Sequence, residues 1–133
     1  MLQMPDYMPA MSGCRVYICD DSPEYRMLLR MVLADAGAEI VGEGCDGGEC
    51  LAGAAETNPS IVLLDLNMPG VGGLEALPKL RETLPEDVKI VVLTTSKALE
   101  SEEAAMAAGA DAYVPKPLDA TSVPSLIRSK LAA

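Results

Sequence analysis

The stretch Ile61-Val62-Leu63-Leu64-Asp65-Leu66-Asn67-Met68-Pro69-Gly70 decides the predicted fold of the chain around it. Four apolar residues run without a break into Asp65, and a Pro-Gly turn follows shortly afterwards. A short apolar run bounded by turn signals is typical of a strand that is buried on both faces. Asp65 then lies at the carboxyl end of that strand, where open α/β sheets build their binding sites. A carboxylate in such a place needs a cation or hydrogen bonds, unless it only caps a turn.

Four other segments carry a strand-like pattern, and segments with helical periodicity separate them. We predict strands at residues 15–19, 39–42, 61–64, 89–94 and 111–114, and helices at residues 23–36, 49–56, 74–83, 100–108 and 119–131. Strict alternation of strands and helices is typical of a parallel sheet with helices on both faces. The predicted fold is therefore α/β, a doubly wound (βα)5 unit with a five-stranded parallel sheet.

Helical spacing also predicts which side chains face the core. These are Leu28, Leu29, Val32, Leu33 and Ala36 in the first helix, and Leu74, Leu77 and Leu80 in the third. Residues 100–108 contain Met106 as their only large apolar residue, so we expect that helix to be weakly anchored. Met27 and Met31 lie on an adjoining stripe of the first helix. They either fill the core or form a flexible apolar patch that docks a partner's helices.

Composition limits the domain organisation and the classes of function. Residues 1–13 contain two prolines and a glycine without periodicity, so we expect a flexible N-terminal extension followed by one domain over residues 14–133. The chain has 20 acidic and 10 basic residues, a net charge of -10, and no histidine. This balance argues against direct nucleic-acid binding, and the lack of histidine excludes Ser-His-Asp catalysis and histidine-ligated zinc within the chain. No membrane span or signal peptide is evident, so a cytoplasmic location is expected.

The cysteines form two C-x4-C pairs. They are Cys14, Cys19, Cys45 and Cys50. We expect small, buried or half-buried thiols in a reduced cytoplasmic protein. A zinc site made of all four cysteines is the alternative, although their spacing suits it poorly.

Polar residues follow four of the five predicted strands. Asp20 and Asp21 follow the first, Asp65 the third, Thr94 the fourth and Lys116 the fifth, so all five would meet at one edge of the sheet. Three carboxylates gathered there repel one another and raise each other's pKa, unless a counter-charge is present. A hard cation such as Mg²⁺ meets this need, with waters and phosphate oxygens as further ligands. A hydroxyl and an ammonium group suit the remaining oxygens of a phosphoryl group.

Together these motifs resemble those of response-regulator receiver domains in two-component signalling. They are Cys19-Asp20-Asp21-Ser22, Leu64-Asp65-Leu66-Asn67-Met68-Pro69-Gly70, Val92-Leu93-Thr94-Thr95, Ala108-Gly109-Ala110-Asp111-Ala112-Tyr113 and Lys116-Pro117. The resemblance extends over roughly residues 14–132. It implies a flavodoxin-like sheet with strand order 2-1-3-4-5.

The resemblance also implies a role for each site residue. Asp65 is the phosphoacceptor and touches the metal ion. Asp20 and Asp21 are the acidic pair that holds Mg²⁺, with Mn²⁺ as an alternative ion. The backbone carbonyl of Asn67 completes the protein ligands, and Lys116 holds a phosphoryl oxygen.

A conformational switch is a further implication. Thr94 swings toward the phosphoryl group and Tyr113 turns inward; otherwise, Tyr113 is a half-buried strand residue with its hydroxyl in water. A cis Lys116–Pro117 bond aims the lysine. We predict an output surface on residues 100–108, 111–114 and 119–131, for a downstream protein or a second copy of the chain.

Because the chain lacks histidine, the phosphodonor is expected to be a separate histidine kinase or histidine phosphotransfer protein. The first functional hypothesis is a stand-alone receiver, and the second is the receiver portion of a longer DNA-binding transcriptional regulator whose output domain follows Ala133. Neither makes the chain an enzyme beyond its own phosphorylation and dephosphorylation. A Mg²⁺-dependent phosphohydrolase is disfavoured, because the haloacid-dehalogenase pattern needs Asp-x-Asp where this chain has Asp65-Leu66-Asn67.

Overall fold

The computed structural model describes residues 10–95 and 99–132, which form five strands and five α-helices. The strands are β1 (Arg15–Cys19), β2 (Glu39–Gly44), β3 (Ile61–Leu64), β4 (Lys89–Thr94) and β5 (Ala112–Pro115). The helices are α1 (Pro23–Asp35), α2 (Gly47–Thr57), α3 (Gly73–Thr83), α4 (Leu99–Ala107) and α5 (Val123–Ala132). All strand pairs are parallel, in the order β2-β1-β3-β4-β5, which confirms the predicted class and strand order.

The central strand β3 sets the position of Asp65. All four of its residues are buried, with β1 on one side and β4 on the other. Leu64 pairs with Cys19 of β1, and the Asp65 N–H donates to the Cys19 carbonyl at 2.9 Å. Because the two strands end in register, Asp20 and Asp65 leave the sheet side by side.

Successive strand residues belong alternately to two hydrophobic cores, one on each face of the sheet. The first core packs under α2, α3 and α4, and its strand residues include Tyr17, Val62, Leu64, Val92 and Tyr113. The second core packs under α1 and α5, and its strand residues include Val16, Ile18, Leu63, Leu93 and Val114. Both faces of the sheet are therefore covered, as the unbroken apolar strands predict.

Tyr17 fills a narrow slot in the first core. Its ring extends from β1 beneath α2, and its hydroxyl donates to the Glu49 carbonyl at 3.3 Å. A Cβ at Gly42 would lie 2.7 Å from the ring, and a Cβ at Gly53 would overlap the hydroxyl. Glycine at these two positions therefore makes room for a large aromatic side chain in a core without phenylalanine or tryptophan.

Several predicted element boundaries need correction. Strand β2 continues to Gly44, and α2 begins two residues early because the Asp46 side chain caps it, accepting from the Glu49 N–H at 2.9 Å. The last predicted helix begins as a 3₁₀ turn (Ala120–Ser122) and becomes α-helical at Val123. Helix α3 runs on to Thr83 although Pro78 is its sixth residue.

The predicted flexible extension is wrong for the residues around Met11. Residues 10–13 form a turn, and the Met11 side chain is 1% exposed within the core beneath α1 and α5. The Met11 N–H donates to the Ala36 carbonyl at 2.8 Å, which ties the turn to the end of α1. Residues 1–9 lie outside the described residues.

Some predicted core positions are exposed instead. Leu28 of α1 and Leu74 of α3 are 46% and 42% exposed. In α4, Ala105 is the buried residue and Met106 is exposed, so this helix is weakly anchored as predicted. Among the described helices, none has the length and apolar content needed to cross a bilayer.

Candidate functional site

Burial singles out the carboxyl edge of the sheet. In the part of the chain that the structure describes, the buried polar or charged residues are Asp20, Asp65 and Thr94, with exposed fractions of 2%, 4% and 0%. All three lie at the ends of neighbouring strands: β1, β3 and β4. Burying carboxylates is costly unless cations and hydrogen bonds compensate them, so this edge is the natural candidate site.

Lys116 supplies the compensating cation. Its Nζ lies 2.6 Å from Asp20 Oδ2 and 3.1 Å from Asp65 Oδ2. The backbone N–H of Lys116 donates to the Thr94 carbonyl at 2.7 Å, which fixes the start of the loop after β5. One ammonium therefore bridges two carboxylates from different strands. The three residues lie together at one edge of the sheet, as predicted, whereas the bridge itself was not predicted.

The expected cis Lys116–Pro117 bond is not found, since residues 10–95 and 99–132 contain no cis peptide bond. The lysine reaches both carboxylates without it, because its four-carbon stem is long and flexible. Trans is also the preferred state of most bonds that precede proline.

The second oxygen of each buried carboxylate accepts a backbone hydrogen bond. Asp20 Oδ1 accepts from the Ser22 N–H at 2.9 Å, and Asp65 Oδ1 accepts from the Asn67 N–H at 3.0 Å. Both are local turns in which an aspartate caps the residue two positions ahead. The carboxylates are thus held at one oxygen and face Lys116 with the other.

The site remains rich in negative charge. Asp21 lies exposed beside the buried pair, so three carboxylates share one ammonium. Burial raises the pKa of Asp20 above its usual value, although the hydrogen bond from Lys116 acts in the opposite direction. Burial acts to lower the pKa of Lys116, but the Asp20 hydrogen bond and the Asp65 charge outweigh it and raise that pKa. A further cation would relieve the excess.

The carboxylates fit a hard divalent ion. Ligand oxygens of Asp20, Asp21 and Asp65 all lie within 4.8 Å of one another. Carboxylate oxygens with an open, solvent-exposed side suit Mg²⁺, which keeps several of its waters. The structure thus brings the three predicted acidic ligands together; the backbone carbonyl of Asn67 stays a prediction.

The other acidic cluster in the described residues consists of Cys45, Asp46 and Glu49. Its groups are engaged with one another at the start of α2, where Glu49 accepts from the Cys45 N–H at 2.8 Å. All four cysteines are free, and no group of the four forms among the described residues, which removes the zinc alternative. Cys19 and Cys50 are buried and Cys14 and Cys45 are half-buried, as predicted.

Thr94 and Tyr113 both lie inside the fold. Thr94 is fully buried at the end of β4, and Tyr113 of β5 is 4% exposed within the first core. The alternative of a half-buried Tyr113 with a wet hydroxyl is therefore wrong. The Asn67 side chain reaches across, with its Nδ2 donating to Thr94 Oγ1 at 3.3 Å. This link joins residues 27 positions apart, and no sequence pattern predicted it.

Sequence reasoning also missed three supporting residues. The Tyr25 ring lies beside Lys116, with Nζ 4.2 Å from its centroid. Arg26 donates to the Asp20 carbonyl at 2.6 Å and pairs with Glu43 of β2 at 3.1 Å. Gly73 has no room for a Cβ, which would overlap the Asp65 carbonyl, so α3 packs directly against the site's backbone. No local pattern in the sequence indicated this close approach.

Two methionines of α1 have exposed side chains. Met27 and Met31 of α1 are 53% and 62% exposed, so the core-filling interpretation is wrong. Leu28 between them is also exposed, which leaves an apolar patch on the helix that begins at the site.

Comparison with known proteins agrees with this geometry. The family model of the response regulator receiver domain matches residues 16–128. The response regulator GacA of Pseudomonas aeruginosa is 40% identical over 103 residues, which are 77% of this chain and 48% of that protein. The chain spans about half the length, or less, of the first curated relatives it matches.

Solved structures give the same family. A LuxR-family two-component response regulator from an Aurantimonas species is 33% identical with a TM-score of 0.80, over 91% of this chain and 86% of that one. A LuxR-family DNA-binding response regulator from Staphylococcus aureus is 26% identical with a TM-score of 0.76, over 89% of this chain and 98% of that one. The chain therefore belongs to the response-regulator receiver domains, the signalling modules of two-component systems.

Proposed function

We propose that this receiver domain accepts a phosphoryl group on Asp65 from a phosphohistidine of a histidine kinase or phosphotransfer protein. The observation that carries the proposal is the arrangement around Asp65. Its carboxylate is buried at the end of the central strand and contacts Lys116 through one oxygen. One of its oxygens also lies within 4.8 Å of carboxylate oxygens of Asp20 and Asp21. A purely structural turn cap needs neither the lysine nor the two additional carboxylates.

In the proposed reaction a carboxylate oxygen of Asp65 attacks the phosphorus of the donor. A P–O bond forms, the P–N bond of the phosphohistidine breaks, and its electron pair stays on the departing imidazole. Lys116 is already at hydrogen-bond distance from Asp65, so it needs only a small movement to reach a phosphoryl oxygen.

Asp20, Asp21 and Asp65 would hold Mg²⁺, or Mn²⁺ in its place, with the Asn67 carbonyl as a further ligand. The bound ion supplies positive charge that offsets the charge on the transferring phosphoryl group. Lys116 would then exchange Asp20 Oδ2 for a phosphoryl oxygen. The ammonium would thus pair with the carboxylates before transfer and with the phosphoryl group afterwards.

We further propose that phosphorylation changes the surface formed by α4, β5 and α5, which contacts a downstream protein or a second copy. Thr94 is buried beside the site and would hydrogen-bond the phosphoryl group. Tyr113 lies two residues from the strand partner of Thr94 and packs in the same core as Ala105, the buried residue of α4. Because α4 buries a single small residue, little core packing holds it in place, and a small displacement of Tyr113 can move it.

The exposed patch of Met27, Leu28 and Met31 is the proposed docking surface for the donor. It begins one turn after the α1 cap residue Ser22, which directly follows the acidic pair. Flexible methionines suit an apolar helix–helix contact that must form and break repeatedly. A partner helix seated there would present its phosphohistidine to the nearby strand ends.

The second candidate is the receiver portion of a longer DNA-binding transcriptional regulator. Two observations favour it: the chain spans about half of its relative GacA, and a DNA-binding response regulator shares the fold at 26% identity. In this case the acidic receiver makes no direct contact with nucleic acid, and a separate domain binds DNA. The reading frame beyond Ala133 in the gene distinguishes the two candidates.

The proposed phosphorylation is tested by intact mass spectrometry after incubation with acetyl phosphate and Mg²⁺. Wild type should gain the mass of one phosphoryl group, and Asp65→Asn should gain none. Omitting Mg²⁺ should slow the gain, and a cognate phosphohistidine donor should accelerate it. Equal phosphorylation of wild type and Asp65→Asn would refute Asp65 as the acceptor.

A further inference from the structure

The Tyr25 ring packs against the ammonium group of Lys116. Tyr25 is the third residue of α1, and its N–H donates to the cap side chain Ser22 Oγ at 3.2 Å. Lys116 Nζ lies 4.2 Å from the centroid of the Tyr25 ring. An ammonium at this distance from the ring face makes a cation–π contact.

The ring completes the surroundings of the ammonium. Lys116 donates to Asp20 and Asp65, and its side chain is 10% exposed. A lysine ammonium has three donors on a flexible stem and can adopt many positions. Together, the two carboxylates, at the ends of β1 and β3, and the Tyr25 ring on α1 restrict the position of the ammonium.

The hydroxyl of Tyr25 does not account for its presence. It is buried and has no hydrogen-bond partner in the described part of the chain, which is unfavourable for folding. The useful part of the side chain at this position is therefore the aromatic ring, and phenylalanine should perform its role without the unpaired hydroxyl.

We infer that Tyr25 is a positioning residue for Lys116, an inference that rests on the proposed phosphorylation of Asp65. The lysine must exchange a carboxylate for a phosphoryl oxygen during the reaction. An aromatic face attracts the ammonium without competing for its donated hydrogen bonds, so it guides the lysine in both states. Tyr25 touches no reacting atom; it acts through Lys116.

The test compares wild type with Tyr25→Leu and Tyr25→Phe. Tyr25→Leu keeps apolar bulk but removes the ring, and we expect phosphorylation by acetyl phosphate and Mg²⁺ to slow roughly three- to thirtyfold, the range of a partly desolvated cation–π contact. Tyr25→Phe should restore the rate. Val32→Ala is the matched control, because it removes apolar surface from the same core about 10 Å further along α1.

A second readout follows the lysine itself. The ring current should shift the Hε resonances of Lys116 upfield in wild type and Tyr25→Phe, and the shift should disappear in Tyr25→Leu. Lys116→Arg identifies these resonances by their loss. A variant that only weakens the fold, such as Val32→Ala, should leave them in place.

The outcomes separate this inference from the proposed function. If wild type gains no phosphoryl group, the proposed function fails, and the Lys116 resonances still report whether Tyr25 positions the lysine. If wild type is phosphorylated and Tyr25→Leu matches it in rate, the inference is overturned. Unshifted Lys116 resonances in wild type, or a Tyr25→Phe variant as slow as Tyr25→Leu, would overturn it as well.

Discussion

Replacing Lys116 by methionine should strongly destabilise the fold in the absence of divalent cations. The change removes the ammonium that bridges Asp20 Oδ2 at 2.6 Å and Asp65 Oδ2 at 3.1 Å, while the side-chain volume stays similar. Removing one partner of a buried ion pair costs about 3–5 kcal/mol. Each carboxylate retains a backbone hydrogen bond, from Ser22 or Asn67, so we expect about 2–3 kcal/mol, or roughly 6–12 °C in Tm.

The assay is urea unfolding followed by circular dichroism, with a chelator and separately with Mg²⁺. Mg²⁺ should recover part of the lost free energy of unfolding, because it replaces the missing positive charge at Asp20, Asp21 and Asp65. Lys89→Met is the matched control, since Lys89 is exposed at the opposite end of the sheet; its effect should stay within about 0.5 kcal/mol. If Lys116→Met unfolds at the same urea concentration as wild type in chelator, Lys116 does not compensate the buried carboxylates.

Three further predictions concern the core, the docking patch and the output helix. Gly53→Ala should destabilise the fold by about 1–3 kcal/mol in urea unfolding, despite a better helix propensity, because the new Cβ overlaps the Tyr17 hydroxyl. Tyr17→Leu should make the same glycine change harmless. Met27→Glu with Met31→Glu should slow phosphotransfer from the cognate protein donor and leave acetyl phosphate unaffected; an equal loss with both donors would indicate misfolding instead. Amide hydrogen exchange in α4 should change when beryllofluoride binds at the site, and unchanged exchange would contradict its role in the output surface.

The sequence predicted the elements whose signal is local and repeated. The apolar run at residues 61–64, bounded by turn signals, indicated a buried strand, and the alternation of strands with helices placed Asp20, Asp65 and Lys116 at one sheet edge. Side chains that depend on tertiary contact escaped prediction. Met11 lies in a segment without periodicity, and nothing local indicates that its side chain packs in the core beneath α1 and α5.

The same limit applies within the site. The contact between Asn67 and Thr94 joins the ends of two neighbouring strands, β3 and β4. Whether the Asn67 side chain reaches Thr94 depends on its rotamer, which only the folded chain determines. The exposure of Leu28 depends on the rotation of α1 about its own axis, which periodicity defines only to within a residue or two. Spacing thus predicts which residues share an edge or a face, and packing decides which of them touch.

The site has three carboxylates and one ammonium, so the buried Asp20 carboxylate destabilises the folded state when no divalent ion is bound. Burial raises the pKa of Asp20 in the folded state, so its protonated form is favoured there, and the resulting stabilisation is lost as the pH rises through that folded-state pKa. Asp20→Asn should therefore unfold at a higher urea concentration than wild type at neutral pH in chelator, and the difference should vanish on acidification. Mg²⁺ should stabilise wild type more than the variant, since the variant lacks one of the three ligands. A variant less stable than wild type at neutral pH in chelator would mean that the Lys116 contact outweighs the burial of Asp20, and the site would then be a structural ion pair more than a cation-deficient pocket.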